Sequence, residues 1–504
     1  MRSLLAAASL AVLVSSCTTA PSLDEGPIRT DIGGQTGCVS LTAQDIGAAS
    51  MTKAWVAAAD GLPAYCEVTA SLTPVEGSNI GVVYRLPEGW NGKVLGLGGG
   101  GWAGNVTLMA ARDGLSKGYA TMQTDGGHPG TDVWDNSWAI NPASATDFAH
   151  RAIHLMTQSG KELAATFYGR THDRAYYQGC STGGRMGLME AQRYPADYDA
   201  IIAGAPVYSL QVQTTSLLRN QTFAAGNGAG GFTAEDLQLV QSASLAACDA
   251  KDGLADGLVN DPANCTFQPR TLQCRPGETQ ACLSPQQVDA LQAVYSGRKA
   301  DDGSWMMHPL MRGGEAGWGM FMAADGSGND VTGGGGLIGL QPVIFGARGP
   351  DWGNFTQADY MKVRQSDFAG FYEATDPDLS GFFGRGGKLL TWYGLSDPGP
   401  SPVIGREYAQ AVQAANPAHA GDQFRYFTMP GVGHCRGGPG ADNVDWLAYL
   451  DDWVESGEAP DRVVGSNTQD PSRVRPHCAW PATARYSGQG NANDPQNWTC
   501  AAPG

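Results

Sequence analysis

Ser181 lies in the stretch YYQGCSTGGRMG, residues 176 to 187, which contains the pattern Gly-x-Ser-x-Gly. In this pattern the serine stands on a sharp turn between a strand and a helix, and small residues flank it because the turn is tight. Gly179 and Gly183 meet that need. Tyr-Tyr-Gln before the turn is typical of a strand end, and RMGLMEAQRYP after it is typical of a helix. The stretch therefore predicts that Ser181 is a nucleophile.

The pattern alone is weak, because GLSKG at residues 114 to 118 matches it as well. In that second match the helix comes first and the strand follows. Ser116 is therefore interpreted as part of the turn that ends a helix. The order strand, turn, helix selects Ser181.

A serine nucleophile needs a base to take its proton and an acid to orient that base. When the serine stands in such an elbow, the acid and then the histidine follow it along the chain. Asp397 follows the apolar run KLLTWYGL, and His434 follows FRYFTMP in a loop of small residues. We therefore predict that Asp397 is the acid and His434 the base, with a simple turn before Pro398 as the alternative for the aspartate.

Four other histidines are less suited to act as the base. His477 follows Pro476, which indicates an irregular segment with no strand before it, so His477 is interpreted as a structural or surface residue. His128 follows a predicted strand and could help to position a substrate. His150 and His154 share a helix face at a spacing that could suit a metal, but no acidic partner is apparent, so packing is the favoured interpretation.

A glycine run provides candidate donors for an oxyanion. The negative oxygen of a tetrahedral intermediate is stabilised by the N–H of the residue after the nucleophile and by an N–H of an earlier strand-to-helix loop. Thr182 is the first candidate. LGLGGGGWAGN supplies the second, with Gly101 favoured over Gly100. A nucleotide-binding loop is disfavoured, because no Lys-Ser/Thr follows and no dinucleotide spacing is present.

Strands and helices alternate from about residue 80 to 205, and the alternation resumes at GGKLLTWYGLSD. Such alternation predicts an α/β fold with a mostly parallel sheet covered by helices. Between the two parts, residues 207–380 contain helices and glycine-rich loops without that alternation. We interpret them as a large insertion between residues 35–206 and 381–504.

Three closely spaced aspartates lie in CDAKDGLADGLVNDPANC, within this insertion. Calcium takes six to eight oxygens from carboxylates and carbonyls. Asp249, Asp252 and Asp256, together with the carbonyls of Leu254 and Leu258, could supply five of them. A structural calcium site is the prediction, and a solvated acidic turn is the alternative.

The N-terminus has the features of a signal peptide. LLAAASLAVLV after Arg2 is too short to span a membrane, and it ends at Val-Ser-Ser-Cys, which resembles a lipobox that would lipidate Cys17. Residues 1–17 are thus a predicted signal peptide with a lipobox and residues 18–34 a linker. The protein is expected in the bacterial cell envelope, in the periplasm or at the outer membrane, touching the membrane only through the lipid. A plain signal peptide and secretion are the alternative.

The net charge and the cysteine content limit the partners and the compartment of the protein. The net charge of -17 argues against nucleic acid as a partner. An oxidising compartment allows the ten remaining cysteines to pair, although the sequence alone leaves the connectivity open. Short spacings suggest four pairs and leave Cys180 and Cys435 over: Cys38 with Cys66, Cys248 with Cys265, Cys274 with Cys282, and Cys478 with Cys500.

From about residue 35 to 500 the sequence resembles the tannase and feruloyl esterase family of α/β-hydrolases, to which terephthalate monoester hydrolases also belong. The resemblance rests on GGGGWAG, GCSTGGRMGLMEAQRYPADYDAIIAGAPV, CDAKDGLADGL, CLSPQQVDALQAVYSG, WYGLSDP and GVGHC. It implies an α/β-hydrolase fold with an inserted lid domain at 207–380, a structural calcium ion and no organic cofactor. It also implies a disulfide between Cys180 and Cys435, the cysteines beside the serine and the histidine.

This bridge is physically reasonable, because each cysteine adjoins a residue that must approach the other within hydrogen-bond reach. A crosslink that closes so long a loop could stabilise the fold by about 5 kcal/mol in the entropic description.

The resemblance further implies a secreted serine carboxylesterase that acts on small aromatic esters of the hydroxycinnamic type, which could be attached to plant cell-wall polysaccharide. A tannase that hydrolyses galloyl esters and a terephthalate monoester hydrolase are the alternatives. A rival of another class is a non-catalytic surface lipoprotein that binds phenolics or glycans.

Overall fold

The computed structural model describes residues 33–327 and 336–502. The predicted signal peptide, Cys17 and all of the linker except its last two residues lie outside the described residues. Within the described part of the chain, no helix is long and apolar enough to cross a membrane.

One large sheet forms the centre of the fold. The strands are β1 (Ser50–Val56), β2 (Tyr65–Leu72), β3 (Ile80–Pro87), β4 (Lys93–Leu97), β5 (Ala120–Thr124), β6 (Arg174–Cys180), β7 (Ala200–Gly204), β8 (Arg298–Lys299), β9 (Trp305–Met307), β10 (Lys388–Gly394), β11 (Phe424–Met429), β12 (Arg462–Ser466), β13 (Val474–Cys478), β14 (Thr483–Tyr486) and β15 (Trp498–Ala501). Nine of them pair in the order β1-β2-β3-β5-β4-β6-β7-β10-β11. The strands β1, β2, β3 and β5 pair antiparallel, and the pairs from β5 through to β11 are parallel.

The helices are α1 (Gly34–Ser40), α2 (Leu108–Ser116), α3 (Pro142–Thr146), α4 (Ala152–Tyr168), α5 (Thr182–Arg193), α6 (Gln211–Ala224), α7 (Ala234–Cys248), α8 (Pro285–Ser296), α9 (Gln341–Ile344), α10 (Gln357–Arg364), α11 (Asp367–Tyr372), α12 (Ser380–Phe383), α13 (Pro402–Ala415), α14 (Ala420–Gln423) and α15 (Trp446–Ser456). A π-helical turn at Asp147–Arg151 joins α3 to α4.

Both faces of the parallel part of the sheet are buried. Successive residues of a strand belong to different apolar clusters. Ile201 of β7 and Leu389 of β10 belong to one cluster, and their neighbours Ile202 and Leu390 belong to the other. Successive side chains of a strand point to opposite faces, so each face has its own covering layer. This is the doubly covered sheet that the alternating pattern predicts, and the fold is that of an α/β-hydrolase.

The region between β7 and β10, residues 205–387, is here named the insertion. Most of its buried apolar residues between Phe223 and Ala324 form a cluster of their own, and Ala300, Met306 and Met307 belong to the large cluster on the sheet. By contrast, residues from Leu337 to Phe383 join the large cluster on the sheet. The insertion therefore consists of a part with a separate core and a part that packs directly on the hydrolase domain.

The segment around Pro476 is a strand, so the prediction of an irregular segment was wrong. The segment forms β13, which pairs with β12 in an antiparallel hairpin. Proline cannot donate an N–H to a ladder and is therefore confined to strand edges, and in this two-stranded hairpin each strand is an edge strand.

Candidate active site

The turn at Ser181 has the strained backbone of a nucleophile elbow. Ser181 connects β6 to α5 with φ 62° and ψ -124°, a conformation that residues with side chains rarely adopt. Hydrogen bonds on both sides hold it. Its N–H donates to the carbonyl of Gly204 at 2.9 Å, and its own carbonyl accepts from the N–H of Val207 at 3.1 Å. The turn is thereby fixed by the residues that follow β7.

Close glycine packing brings the loop after β4 to the turn at Ser181. A Cβ on Gly179 would lie 2.5 Å from the carbonyl carbon of Gly183, so the tight turn excludes side chains. A Cβ on Gly98, the first residue after β4, would lie 2.4 Å from the Cα of Gly183. The loop after β4 therefore touches the first turn of α5, which explains why both segments are rich in glycine.

Two backbone N–H groups beside Ser181 are available as donors. Thr182 begins α5, and neither its N–H nor that of Gly101 donates to a backbone acceptor among the described residues. Gly101 has φ 58°, and a Cβ there would lie 2.5 Å from the carbonyl oxygen of Val133. The N–H of Trp102 donates to that same oxygen at 2.9 Å and fixes the loop. Thr182, Gly101 and Gly100 all line the cavity described below.

Asp397 and His434 form a buried pair. The carboxylate Oδ2 of Asp397 lies 2.7 Å from Nδ1 of His434, and the other oxygen accepts from the N–H of Gly399 at 2.8 Å. The two side chains are 0% and 9% exposed. Because Asp397 follows β10, His434 follows β11 and Ser181 follows β6, all three lie at the carboxyl edge of the parallel sheet.

A disulfide fastens the histidine loop to the elbow. Cys180 and Cys435 are bonded, and this bridge joins residues 255 apart in sequence. Cys435 also has a positive φ of 61°, as Ser181 has. The other predicted pairs are present in the structure as well: Cys38 with Cys66, Cys248 with Cys265, Cys274 with Cys282, and Cys478 with Cys500.

A cavity of about 300 Å³ opens beside Ser181 and His434. Ser181 Oγ makes no hydrogen bond to His434 among the described residues, although both side chains face this space. Most of the wall is apolar. The remaining lining residues are Gly100, Gly101, Trp102, Val133, Trp134, Cys180, Thr182, Val207, Val212, Gln213, Ser216, Phe321, Gly399, Pro400 and Cys435.

The insertion contributes two contacts that the sequence reasoning missed. The guanidinium of Arg219, on α6, is fully buried and donates to the carbonyls of Pro398 and Gly399 at 2.8 and 3.0 Å, and to that of His308 at 3.0 Å. Burial lowers the pKa of Arg219 to about 9. Phe321 places its ring edge-on to His434, with ring centroids 4.9 Å apart.

A signal for Arg219 does exist in the sequence. It is the sole charged residue between 207 and 234, a segment with helical character. Arginine is mostly exposed in proteins and is almost never fully buried unless it is paired, so a lone arginine in an otherwise uncharged helix is a candidate for such a buried pair.

The other histidines lie outside the cavity lining. His128 is buried behind the glycine loop, with Nε2 2.8 Å from the carbonyl oxygen of Trp102. His477 is buried in β13 with Nε2 2.8 Å from the carbonyl of Ala441, and burial lowers its pKa to about 4. His477 is therefore a buried structural residue.

The sequence interpretation of His154 was wrong in one respect, since acidic partners do stand beside it. Nδ1 of His154 lies 2.6 Å from a carboxylate oxygen of Asp197, and the buried Glu190 completes a group whose ligand atoms lie within 4.8 Å of one another. His150 instead bonds the hydroxyl of Tyr194 at 2.8 Å.

The three aspartates of the predicted calcium loop are partly satisfied by the protein. Both oxygens of Asp249 accept backbone N–H groups, and Asp256 pairs with Arg475 at 2.6 Å. The three carboxylates do not all come within 4.8 Å of one another in the described residues. However, Oδ1 of Asp256 is buried without a hydrogen-bond partner, and burial raises the pKa of Asp252 to about 6, with further raising by Asp256 and Asp249. One carboxylate oxygen without a partner, in a group of three neighbouring aspartates that repel one another, fits a hard cation.

The sheet order, the strained elbow and the Asp397–His434 pair define the α/β-hydrolase class. Mono(2-hydroxyethyl) terephthalate hydrolase of Piscinibacter sakaiensis is 34% identical to this chain over 89% of it and 86% of its own length. An uncharacterised esterase of Xanthomonas campestris is 33% identical over 91% and 88%. The crystal structure of feruloyl esterase B from Aspergillus oryzae superposes with a TM-score of 0.81 at 27% identity, covering 93% of this chain and 100% of that one.

Residues 66–310 and 351–501 match the family of tannase and feruloyl esterase. The chain belongs to this family, and it is a carboxylic ester hydrolase.

Proposed function

We propose that the protein is an exported serine esterase that hydrolyses esters of aromatic acids of the hydroxycinnamic type. The observation that carries this proposal is the buried Asp397–His434 pair beside the Ser181 elbow, at the end of a largely apolar cavity. The relatives named as feruloyl esterases support the choice of acid.

In the proposed reaction Ser181 Oγ attacks the ester carbonyl carbon while Nε2 of His434 takes the hydroxyl proton. The tetrahedral intermediate collapses when the C–O bond to the alcohol breaks, and His434 gives its proton to the leaving oxygen. Water, activated by the same imidazole, then attacks the acyl-enzyme and releases the acid. Asp397 accepts a hydrogen bond from Nδ1 throughout and stabilises the imidazolium.

The N–H groups of Thr182 and Gly101 hold the negative oxygen in both intermediates, with Gly100 as the alternative to Gly101. Their lack of other acceptors among the described residues supports this role, because an oxyanion needs donors that are already oriented and unoccupied. Thr182 also stands at the N-terminus of α5, where the helix dipole favours negative charge.

The cavity lining favours a neutral aromatic acid over a terephthalate monoester. Within the described residues, the lining contains no lysine or arginine that could pair with the free carboxylate of a terephthaloyl group. Burying an unpaired carboxylate in such a site is costly. A galloyl group carries three hydroxyls. Apart from Ser181, Thr182 and His434, the polar side chains among the described lining residues are Gln213, Ser216 and the indoles of Trp102 and Trp134, and the rest of the wall is apolar or glycine.

Export, lipidation at Cys17 and calcium binding complete the proposal. The five disulfides of the structure suit an oxidising compartment. A structural calcium ion would be held by Asp249, Asp252 and Asp256 with the carbonyls of Leu254 and Leu258. It lies in the insertion, and we assign it no part in the reaction.

The two matches to Gly-x-Ser-x-Gly provide a matched test of this proposal. Replacing the nucleophile in Ser181→Ala should lower kcat for methyl ferulate by roughly 10⁴-fold or more. Ser116→Ala should leave kcat unchanged, because Ser116 Oγ only donates to the carbonyl of Asp113 at the end of α2. Retention of methyl ferulate hydrolysis by Ser181→Ala would reject the mechanism.

A further inference from the structure

We propose that the side-chain amide of Gln213 recognises a phenolic hydroxyl on the acyl group of the substrate. The inference rests on the proposed function, and it assigns to one residue the choice between phenolic and non-phenolic aromatic acids. The inference follows from the amide of Gln213, which lines the cavity and has no hydrogen-bond partner among the described residues.

Gln213 is a buried polar residue with an unused acceptor. Its side chain lies on α6, is 5% exposed and lines the cavity beside Ser181. Its amide oxygen is buried and has no hydrogen-bond partner among the described residues. Buried polar side-chain atoms are normally paired, so an unpaired oxygen on a side chain that lines a cavity indicates a partner supplied by a ligand.

A second glutamine on the same helix, Gln211, has a side chain that is hydrogen-bonded within the protein. The amide of Gln211, two residues earlier, donates to the carbonyl of Trp305 at 2.8 Å and contacts the hydroxyl of Tyr360 at 2.7 Å. Gln211 does not belong to the cavity lining. The amide nitrogen of Gln211 is therefore paired within the protein, whereas the side chain of Gln213, which lines the cavity, makes no hydrogen bond among the described residues.

The surroundings of Gln213 select the chemistry of the partner. Val133, Val207, Val212 and Phe321 supply apolar walls, which suit a flat aromatic ring. A phenolic hydroxyl gives such a ring one hydrogen-bond donor, and the free amide oxygen is an acceptor. A carboxylate at the same place would bring a charge to a wall without a cation. A methoxy group or an unsubstituted ring would leave the acceptor unpaired.

The test compares methyl esters that share the alcohol and differ only at the ring: methyl 4-hydroxycinnamate, methyl 4-methoxycinnamate and methyl cinnamate. For the unaltered protein we expect kcat/KM for the 4-hydroxy ester to exceed that for the unsubstituted ester by about tenfold, the size of one buried hydrogen bond. Gln213→Met keeps the side-chain volume and removes the acceptor. It should bring this ratio close to one by lowering kcat/KM for the 4-hydroxy ester alone.

Gln211→Met is the matched control and should keep the ratio, even where it lowers thermal stability. The proposal is overturned if Gln213→Met lowers kcat/KM for all three esters equally, or if the unaltered protein shows no preference for the 4-hydroxy ester. The second outcome needs no variant, so it stands even if Gln213→Met fails to fold. If all three esters are hydrolysed without preference, only this inference fails. If none is hydrolysed, the proposed function fails with it.

Discussion

The cavity wall comes from two regions of the chain, the loops of the sheet and the insertion. The residues of the first region are easier to predict from the sequence than those of the second. The sheet half consists of loops that follow strands of the parallel sheet and carries Ser181, Asp397 and His434. The insertion half consists of α6 and the segment around Phe321. In the proposed function, groups of the sheet half would perform the chemistry and groups of the insertion half would surround the acyl group. Arg219 of α6 also binds two carbonyls of the Asp397 loop.

The residues proposed to perform the chemistry have local signatures in the sequence, and the residues proposed to select the substrate do not. Ser181, Asp397 and His434 each follow a strand, and a strand followed by a tight turn has a short sequence signature. The wall residues of α6 owe their position to the packing of a helix with no motif. Arg219 connects the halves, since it extends from the insertion to the carbonyls of the Asp397 loop.

The strongest test of the sheet half removes its disulfide. Joint replacement Cys180→Ala and Cys435→Ala should lower the free energy of unfolding by about 5 kcal/mol, given the 255-residue separation and an entropic effect of loop closure. It should also lower kcat by about 10²-fold, since the histidine loop would lose its attachment to the elbow. Denaturant unfolding and methyl ferulate kinetics measure the two effects.

Removing Cys274 and Cys282 is the control, because that bridge spans only 8 residues and lies in the insertion. We expect a loss of about 2 to 3 kcal/mol and an unchanged kcat. Equal effects of the two double variants on kcat would show that the Cys180–Cys435 bridge does not position the base.

The link between the halves is tested by Arg219→Met. The variant leaves three buried carbonyls without their donor, so the loop of Asp397 should loosen and kcat should fall by about tenfold with a smaller change in KM. Arg219→Lys should not restore kcat, because one ammonium cannot span the carbonyls as the guanidinium fork does. Arg364→Met, at a half-exposed ion pair of the insertion, is the control. An unchanged kcat in Arg219→Met would mean that the halves are independent.

The insertion, which contains the aspartate loop at 248–265, should depend on calcium for stability and not for chemistry. Saturating calcium should raise Tm by a few degrees relative to a chelator, corresponding to about 3 kcal/mol at a hundred times Kd. Asp252→Asn should abolish this shift, and Asp261→Asn, in the same loop, should keep it. Because burial and neighbouring carboxylates raise the pKa of Asp252 to about 6, the calcium-induced shift should weaken below that pH as protons compete. A shift that persists in Asp252→Asn would place the ion elsewhere.

The smallest effect concerns Glu373, which anchors the start of α6. Its carboxylate accepts from the N–H of Leu210 at 2.9 Å, and burial raises its pKa from 4.5 to about 7. The folded protein therefore binds this proton more tightly than the unfolded chain does. The contribution to stability is full below about pH 4.5 and is lost as pH rises through 7. Glu373→Gln should flatten the fall of Tm between pH 5 and 8, and a slope unchanged from that of the unaltered protein would contradict this.

The sequence predicts the α/β fold because its central strands are buried on both faces and read as apolar runs. Two strands at one end of the sheet, the edge strand β1 and its neighbour β2, were not predicted. In β1 most side chains are at least partly exposed, so its hydrophobic signal is weak. The strand β13 was missed for another reason, because the proline at position 476 is more typical of a loop than of a strand. The positions of Gln213 and Phe321 in the wall depend on how the insertion packs, which no local pattern encodes.

The central claim is that Ser181 is the nucleophile, and covalent labelling tests it most directly. The full-length protein is treated with a fluorophosphonate, digested and analysed by mass spectrometry, while hydrolysis of methyl ferulate is followed in parallel. We predict one phosphonyl group per chain, on the peptide that contains Ser181, with activity lost in proportion to labelling. Labelling at another serine, or full activity after Ser181 is modified, would contradict the account.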